Sequence, residues 1–458
     1  MKIVVVGCGK IGAAIVEGLS AEGYDVVAVD DDDAVLAQIS NIYDVMCLCG
    51  NGADCDTLAE AGVKNAELVV ATTGSDELNM LICFLARSMG ALHTIARIRK
   101  PEYNDRNLTF MKQQLNLSLA LNPERLAARE MCNILRFPSA VNVETFSARN
   151  FEMVELRLKQ DTVLDGMTLA EVRRKYEGNY LICAVQRADK AYIPDGSFVL
   201  RGGDRIGLTA APNEAAKLLK KLGLLQKQAR SVMILGGSKT AVYLARLLIA
   251  GGCDAKIVEM DAERCTHISS AVPEATVING DGASQELLLE EGLASMDAFV
   301  ALTGMDEENI LISCFASQQN VPKVITKVNR PEFAAMAERL GLECIISPKK
   351  ITVNVATLYA RAISNSEGSS IETLYRLMDG EIEALEFSVQ PGFTGMGVPL
   401  KDLKLRPGVL IAGIIRGRKP IIPGGGDCIQ EGDKVVVIAA KQHLGALEDI
   451  LKTRLIEE

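Results

Sequence analysis

The sequence predicts an α/β fold in which two doubly wound parallel-sheet domains each precede a small α+β domain, the pair forming a duplicated unit. Three observations carry this expectation. IVVVGCGKIG at residues 3–12 returns in altered form as VMILGGSKTA at 232–241. Behind it, GNGADCDTLAEAG from Gly50 answers GDGASQELLLEEG from Gly280, ATTGSDELNML from Ala71 answers ALTGMDEENIL from Ala301, and ARIRKPEY from Ala96 answers TKVNRPEF from Thr326. The offset is 229 for the opening and 230 for the three later blocks, a constancy that marks a duplicated domain. A smaller unit also repeats, since YLICAVQRADKAYIPDGSFVLRGGDRIGLTA from Tyr180 aligns with VLIAGIIRGRKPIIPGGGDCIQEGDKVVVIA from Val409.

Within the first large module KIVVVG, DVVAVD, VMCLCG, LVVAT and HTIARI read as strands. KIGAAIVEGLSAEG, DAVLAQIS, DTLAEAG and ELNMLICFLARSMG read as the helices between them. Aliphatic runs of this length alternating with helices predict a Rossmann-like parallel sheet covered on both faces, with right-handed crossovers. Each small module has short β-branched runs punctuated by P-D-G, G-G-D or P-G-G-G, with a helical tail such as NEAAKLLKKLG from Asn213. The expected organisation is 1–122 and 230–347 for the large lobes, 123–140 and 348–366 for connecting helices, and 141–225 and 370–455 for the small lobes.

Composition excludes several classes. The chain has 458 residues, too many for one core, 48% of them hydrophobic and 24% charged, which describes a globular protein and not a disordered one. A net charge of −10 without a basic stripe argues against a nucleic-acid partner. No apolar run approaches the ~18–20 residues of a membrane span, and the strand-like start is unlike a signal peptide, so a cytoplasmic location is expected. The 12 cysteines lack a C-x-x-C pair. Cys47 and Cys49 alternate in VMCLCG, and with Cys55 they are expected to be small core residues, not metal ligands.

The chemistry sits in the Gly-rich turn. Gly7-Cys8-Gly9-Lys10-Ile11-Gly12 follows a strand and opens a helix, and Asp30 ends the next strand 23 residues after Gly7. Gly7 permits the tight turn, Gly9 lets backbone N–H groups approach a pyrophosphate, and Gly12 lets the helix pack against the strand. Asp30 would accept from the ribose hydroxyls, and with Asp31, Asp32 and Asp33 behind it would repel a 2′-phosphate, so NAD(H) is favoured over NADP(H). Asp31–Asp33 themselves read as a solvated turn. Asn51, Thr72 and Thr73 follow strands at the carboxyl edge, where a ligand would lie. Arg97 ends the fifth strand, where it would meet a phosphate or carboxylate, or else a surface salt bridge.

The second copy keeps the geometry and changes the chemistry. Gly236, Gly237, Ser238, Lys239 and Thr240 form its turn, with Ser238 at the place of Gly9, Ala241 at that of Gly12 and Glu259 at that of Asp30. Ser238 narrows the backbone approach, whereas Glu259 retains a ribose-binding carboxylate. Asp281, Thr303 and Lys327 stand where Asn51, Thr73 and Arg97 stand. A second nucleotide site is expected, with a preference for a different adenine nucleotide; ATP or ADP would bind there or at the first site. Ser238-Lys239-Thr240 lacks the flanking glycines of a P-loop.

No catalytic set emerges. The three histidines occupy unrelated segments: His93 in a short connection before a strand, His267 in a helix and His443 in a C-terminal helix. No substrate domain of ordinary size follows either large module. These features move the weight from catalysis to binding and switching.

GCGKIG with Asp30, the NGAD and GDGAS segments, TTGSDELN with LTGMDEEN, and small modules carrying D-G-x-x-L-x-E and G-D-x-I resemble tandem RCK units. Two such units in a chain of this length are similar to the TrkA family, the regulatory proteins of Trk potassium uptake systems. The resemblance implies a non-enzymatic, NAD-binding cytoplasmic homo-oligomeric ring, peripheral on the inner face of the cell membrane. Beneath a membrane potassium-transporting subunit of the TrkH or TrkG type, nucleotide-driven repacking of the ring would open or close the pore. It also implies that PERLAAREMCNILRF from Pro123 and PKKITVNVATLYARAI from Pro348, each apolar on one face, cross to a neighbouring unit and carry intersubunit contacts. Two other readings stay open: an NAD-dependent dehydrogenase with duplicated Rossmann domains, and a cytosolic sensor whose small modules bind a metabolite or ion.

Overall fold

The computed structural model describes all residues except 101, 102, 104, 147–150, 189, 225, 226, 365–370, 441, 443 and 453–458. The first large lobe has six parallel strands, β1 (Lys2–Val6), β2 (Asp25–Asp30), β3 (Met46–Cys49), β4 (Leu68–Ala71), β5 (His93–Arg97) and β6 (Leu119–Leu121). Their order is β3-β2-β1-β4-β5-β6, so the chain reverses direction beside β1, and the crevice at that switch point is where such sheets take ligands. The small lobe that follows has β7 (Asn142–Phe146), β8 (Phe151–Arg157), β9 (Tyr180–Arg187), β10 (Lys190–Tyr192) and β11 (Arg205–Ala210), all antiparallel, in the order β10-β9-β11-β8-β7.

The second half repeats both sheets. Strands β12 (Ser231–Leu235), β13 (Asp254–Glu259), β14 (Thr276–Asn279), β15 (Ala298–Ala301), β16 (Lys323–Lys327) and β17 (Cys344–Ile346) take the order β14-β13-β12-β15-β16-β17. Then β18 (Ile371–Leu377), β19 (Ile382–Ser388), β20 (Val409–Arg416), β21 (Lys419–Ile421) and β22 (Lys434–Ala440) form an antiparallel sheet in the order β18-β19-β22-β20-β21. The expected duplicated α/β architecture is the observed one.

Central strands are buried on both faces, as Val4, Val5, Val69 and Val70 illustrate, which is why they read as unbroken aliphatic runs. The edges differ, and there one expectation fails. Cys47 is half-buried and Cys49 exposed, because β3 is the edge strand and its faces are only partly covered, while Cys55 is exposed at the first turn of the helix Cys55–Glu60. All 12 cysteines are free. His93 is the first residue of β5 and not part of a connection; His267 lies in the helix Ala262–Ala271, and His443 falls outside the described residues. No helix among the described residues is long and apolar enough to cross a membrane.

The two halves exchange their connecting helices. Helix Pro123–Arg136 leaves the first large lobe and buries Ala127, Ala128, Met131 and Ile134 in one core with Leu244, Ala245 and Leu248 of the second. Reciprocally, helix Pro348–Ser364 buries Ala356 and Ala360 against Ile15 and Leu19 of the first lobe. Small residues permit the close approach: a Cβ on Gly18 would lie 2.4 Å from Val353 Cγ1. The helices do cross to a neighbouring unit, but that unit is the other half of the same chain, so the contacts seen here are intrachain and not the expected intersubunit ones. The small lobes also pack together, with Phe146, Phe151 and Met153 sharing a core with Ile382, Ala384 and Ile415. Cross-lobe hydrogen bonds join them, among them Thr209 Oγ1 to the Ala412 carbonyl at 3.0 Å and Tyr375 Oη to the Thr145 carbonyl at 2.7 Å.

Candidate functional site

In the first lobe the turn after β1 is shaped by contacts that exclude side chains. Gly7 has φ +87°, and a Cβ there would lie 2.5 Å from the Thr73 nitrogen; a Cβ on Gly12 would lie 1.9 Å from the Gly7 carbonyl oxygen. Gly9 differs, because a Cβ on it would meet nothing within 4 Å. The space above the turn is open there. Gly9 is also the N-cap of helix Lys10–Ala21 and no side chain caps it, so the helix presents its first N–H groups, and the positive end of its dipole, to that space.

Asp30, at the end of β2, accepts from the Cys8 N–H at 2.5 Å and the Asp32 N–H at 3.0 Å. A carboxylate has lone pairs beyond these two, and Asp30 remains partly exposed, so it retains capacity for a ribose. Asp31–Asp33 are exposed as expected, but Asp32 also caps the helix Asp33–Ser40 by accepting from the Ala34 N–H at 2.9 Å. Cys8 is buried with its Sγ toward the Val5 and Val29 carbonyls, so what it offers the site is backbone. Lys10 is exposed and Ile11 half-buried at the start of the helix.

Thr72 lies beneath the turn and not on the open face. It is buried and donates from Oγ1 to the Gly7 carbonyl at 2.7 Å. Thr73 is half-buried, and its N–H and Oγ1 both engage Asn79 Oδ1 at 2.7 Å. Asn79, fully buried, donates in turn to the Arg97 carbonyl at 2.9 Å, while Arg97 Nη2 donates back to the Thr73 carbonyl at 2.9 Å. Arg97 therefore bonds to backbone instead of a surface carboxylate. Burial lowers its pKa, the nearby Arg99 adds to that, and its buried Nε has no hydrogen-bond partner. Asn51 is exposed and accepts from the Ala53 N–H at 3.0 Å, shaping the loop after β3.

The second lobe repeats this arrangement. Gly236 has φ +91°, and Glu259, buried at the end of β13, accepts from the Gly237 N–H at 2.7 Å and the Asp261 N–H at 2.9 Å. Thr303 engages Asn309 Oδ1 through N–H and Oγ1, both at 2.9 Å; Asn309 donates to the Lys327 carbonyl at 3.0 Å, and Lys327 Nζ donates to the Thr303 carbonyl at 2.6 Å. Thr240 is buried and Lys239 exposed in the first turn of helix Lys239–Ala250, while Asp281 accepts from the Ala283 N–H at 2.9 Å.

The differences fall where the turn meets its ligand space. Ser238 takes the place of Gly9 and turns its hydroxyl back to accept from the Ala241 N–H at 3.4 Å, so one helix N-terminal donor is already engaged. Arg264 donates to Glu259 at 3.2 Å, whereas Val35 occupies the place of Arg264 in the first lobe. A cavity of about 460 Å³ opens above this turn, bordered by Ser238, Glu259, Arg264, Asp281 and Thr303.

Sequence reasoning passed over Asn79 and Asn309, the residues that join Thr73 to Arg97 and Thr303 to Lys327. The signal was present: both are the same residue at the same place in the repeated TTGSDELN and LTGMDEEN blocks. Asp76 and Asp306 in those blocks are buried as well, the first accepting from the N–H groups of Arg99 and Lys100, the second from those of Asn329 and Arg330.

Comparison with known proteins matches residues 3–112 and 232–348 to the TrkA-N domain and residues 153–223 and 385–452 to the TrkA-C domain. The chain is 30% identical to Trk system potassium uptake protein TrkA homolog 1 of Methanosarcina mazei, over 99% of this chain and 100% of that protein. It is likewise 30% identical to the TrkA homolog of Archaeoglobus fulgidus, over 99% and 100%. Among solved structures the GsuK channel bound to NAD superposes with a TM-score of 0.63 at 17% identity, covering 96% of this chain and 77% of that one.

Proposed function

The chain belongs to the family of Trk system potassium uptake proteins built from paired TrkA-N and TrkA-C domains, and on that premise we propose that it is the nucleotide-sensing regulatory subunit of a Trk-type potassium transporter. In this reading it binds NAD(H) in the first large lobe and an adenine nucleotide, ATP or ADP, in the second. It assembles as a ring on the cytoplasmic face of a membrane subunit of the TrkH or TrkG type and gates that pore without catalysing a reaction.

The observation that carries the reading is the first-lobe turn. Open space above Gly9, an uncapped helix N-terminus and the Asp30 carboxylate at the end of β2 suit a pyrophosphate and an adenosine ribose. The backbone at Gly9 and the N–H groups of the first helical turn would hold the pyrophosphate, with Gly7 and Gly12 permitting the turn and the close packing beneath it, Asp30 would hold the ribose, and Thr73 with Arg97 the far half of the ligand. The bound NAD in the GsuK channel supports the same choice. Ring assembly is supported by Leu81 and Leu311, which occupy equivalent places in the repeat and are 46% and 67% exposed on the outer helices Asp76–Met89 and Asp306–Gln318. Apolar side chains this exposed at matching positions suit contact with further copies of the chain.

The test is rubidium or potassium uptake in cells lacking the gene, complemented with the native chain or with Asp30→Arg. Uptake that depends on the chain and changes with the substitution supports a nucleotide-responsive transport regulator. Uptake indifferent to both overturns it, and steady NADH oxidation by the purified chain with a metabolite pool would point to the dehydrogenase instead.

A further inference from the structure

We propose that the two nucleotide sites are coupled through a polar node that the chain builds at the boundary of its large lobes from Asn122, Glu124 and Tyr243. The proposal rests on the reading of both large lobes as nucleotide sites and adds how occupancy of one is felt at the other.

The backbone brings the node to both sites. β6 pairs with β5 so that Arg97 lies opposite Leu121. One residue further, Asn122 caps helix Pro123–Arg136 by accepting from the Arg125 N–H at 2.9 Å, which sets Glu124 in the first turn beside the edge where Arg97 emerges. That helix lies on the second lobe's helix Lys239–Ala250, whose N-terminus is the second Gly-rich turn. Tyr243, about one turn further along, donates from Oη to the Arg99 carbonyl at 3.2 Å and accepts from Asn122 Nδ2 at 3.2 Å. The helix that carries the second turn is thereby tied to the first-lobe segment that follows Arg97.

Charge runs along the same path. Glu124 acts electrostatically on Arg97 from the first lobe and on Lys327 from the second. Each cation also feels a carboxylate of its own lobe, Asp76 for Arg97 and Asp306 for Lys327, but Glu124 is common to both. Arg97 Nε and Glu124 Oε2 are buried without a hydrogen-bond partner. Complementary groups left unpaired at a lobe boundary carry a desolvation cost that a small rearrangement can relieve.

The second half does not repeat the device. Pro348 opens its connecting helix as Pro123 opens the first, which sets Ser347 against Asn122 and Lys349 against Glu124, and the place of Tyr243 in the first lobe is taken by Ala14. The carboxylate therefore stands once per chain, acting electrostatically on a cation of each site.

The sign of the coupling follows from Coulomb's law. An anionic ligand in the first site draws Arg97 toward itself and leaves Glu124 to Lys327, whose positive charge it then offsets. An anion entering the second site finds a weaker field, and the penalty acts equally in reverse.

The test is calorimetric titration of the full-length chain with ADP, the moiety that NAD and ATP share. Asp30→Arg and Glu259→Arg, each disabling one site, supply the affinity of the other in isolation. In the native chain the second ADP is expected to bind about five-fold more weakly than its isolated site. In Glu124→Gln, which keeps the side chain's shape, the two events should agree with the isolated sites to within about two-fold, and Tyr243→Phe should reduce the coupling part of the way. Two ADP molecules binding independently in the native chain, or coupling unchanged in Glu124→Gln, overturn the node while leaving the nucleotide reading intact. A chain that binds neither ADP nor NADH overturns both.

Discussion

Arg361 holds Glu22 with two hydrogen bonds, Nε to Oε2 and Nη2 to Oε1, each 2.8 Å, and holds Glu383 with two more at 2.8 and 3.0 Å. Arg361 belongs to the second connecting helix, Glu22 to the first large lobe and Glu383 to β19 of the second small lobe, and Arg376 on β18 bridges the same two carboxylates. Three parts of the fold meet in one buried ionic cluster. Burial works against the Arg361 charge, but its hydrogen bonds to the Glu383 and Glu22 carboxylates outweigh it and hold its pKa above the ordinary value.

Arg361→Met is therefore expected to destabilise the chain by about 3–5 kcal/mol, because it leaves buried carboxylates short of a partner. Urea unfolding measures it. Adding Glu22→Gln and Glu383→Gln should recover a large part of the loss, whereas a loss unchanged by those additions would show that packing and not charge holds the junction.

Asn79→Ala should cost about 1–3 kcal/mol through lost hydrogen bonds at a fully buried position. It should also weaken NADH binding by about ten-fold, equivalent to ~1.4 kcal/mol, because the Thr73 loop and the end of β5 lose their common tie. Thermal unfolding and calorimetry separate the two effects, and full NADH affinity in a destabilised variant would detach Asn79 from the site.

Glu130 and Glu144 predict a pH dependence. Burial, with Glu155 nearby, pushes the Glu130 carboxyl up to about 7, and burial with Glu130 and Glu155 holds the Glu144 carboxyl well above its ordinary value. The folded state then binds more protons than the unfolded one, so stability should fall as pH rises from about 4.3, the ordinary carboxyl value, to about 7. Glu130→Gln should flatten that fall and raise the melting temperature at pH 8 more than at pH 5. An equal gain at both values would assign the effect to shape alone.

Leu311→Asp places a charge on the outer helix of the second large lobe at a position 67% exposed in the single chain. The fold should tolerate it, with a change of less than about 0.5 kcal/mol, while light scattering should show the assembled species reduced toward smaller ones. An unchanged molar mass would move the assembly surface elsewhere.

Much of the fold was legible because burial leaves a pattern. β1 to β5 appear as aliphatic runs, and the duplicated blocks announce the second sheet. β6 and β17, three residues each, are too short to show a period, and helix Asp105–Gln114 is too polar to stand out from a loop. The cysteines of β3 alternate as a core strand would, yet alternation does not reveal that the strand ends up at an edge. In the site, the glycines and Asp30 were legible because turn geometry demands residue types. Asn79 and Thr72 were not placed in their roles, since a buried amide or hydroxyl that orders a loop has no pattern beyond its own identity. The apolar faces of the connecting helices were visible, but which lobe covers each depends on tertiary exchange that no local period records.

That exchange has a mechanical consequence. Each half is clasped by a helix rooted in the other, so neither can open without also stripping an apolar face from its neighbour. Melting should then proceed as one cooperative event shared by four lobes. A single proteolytic cut between the halves should leave two fragments that still travel together through a sizing column.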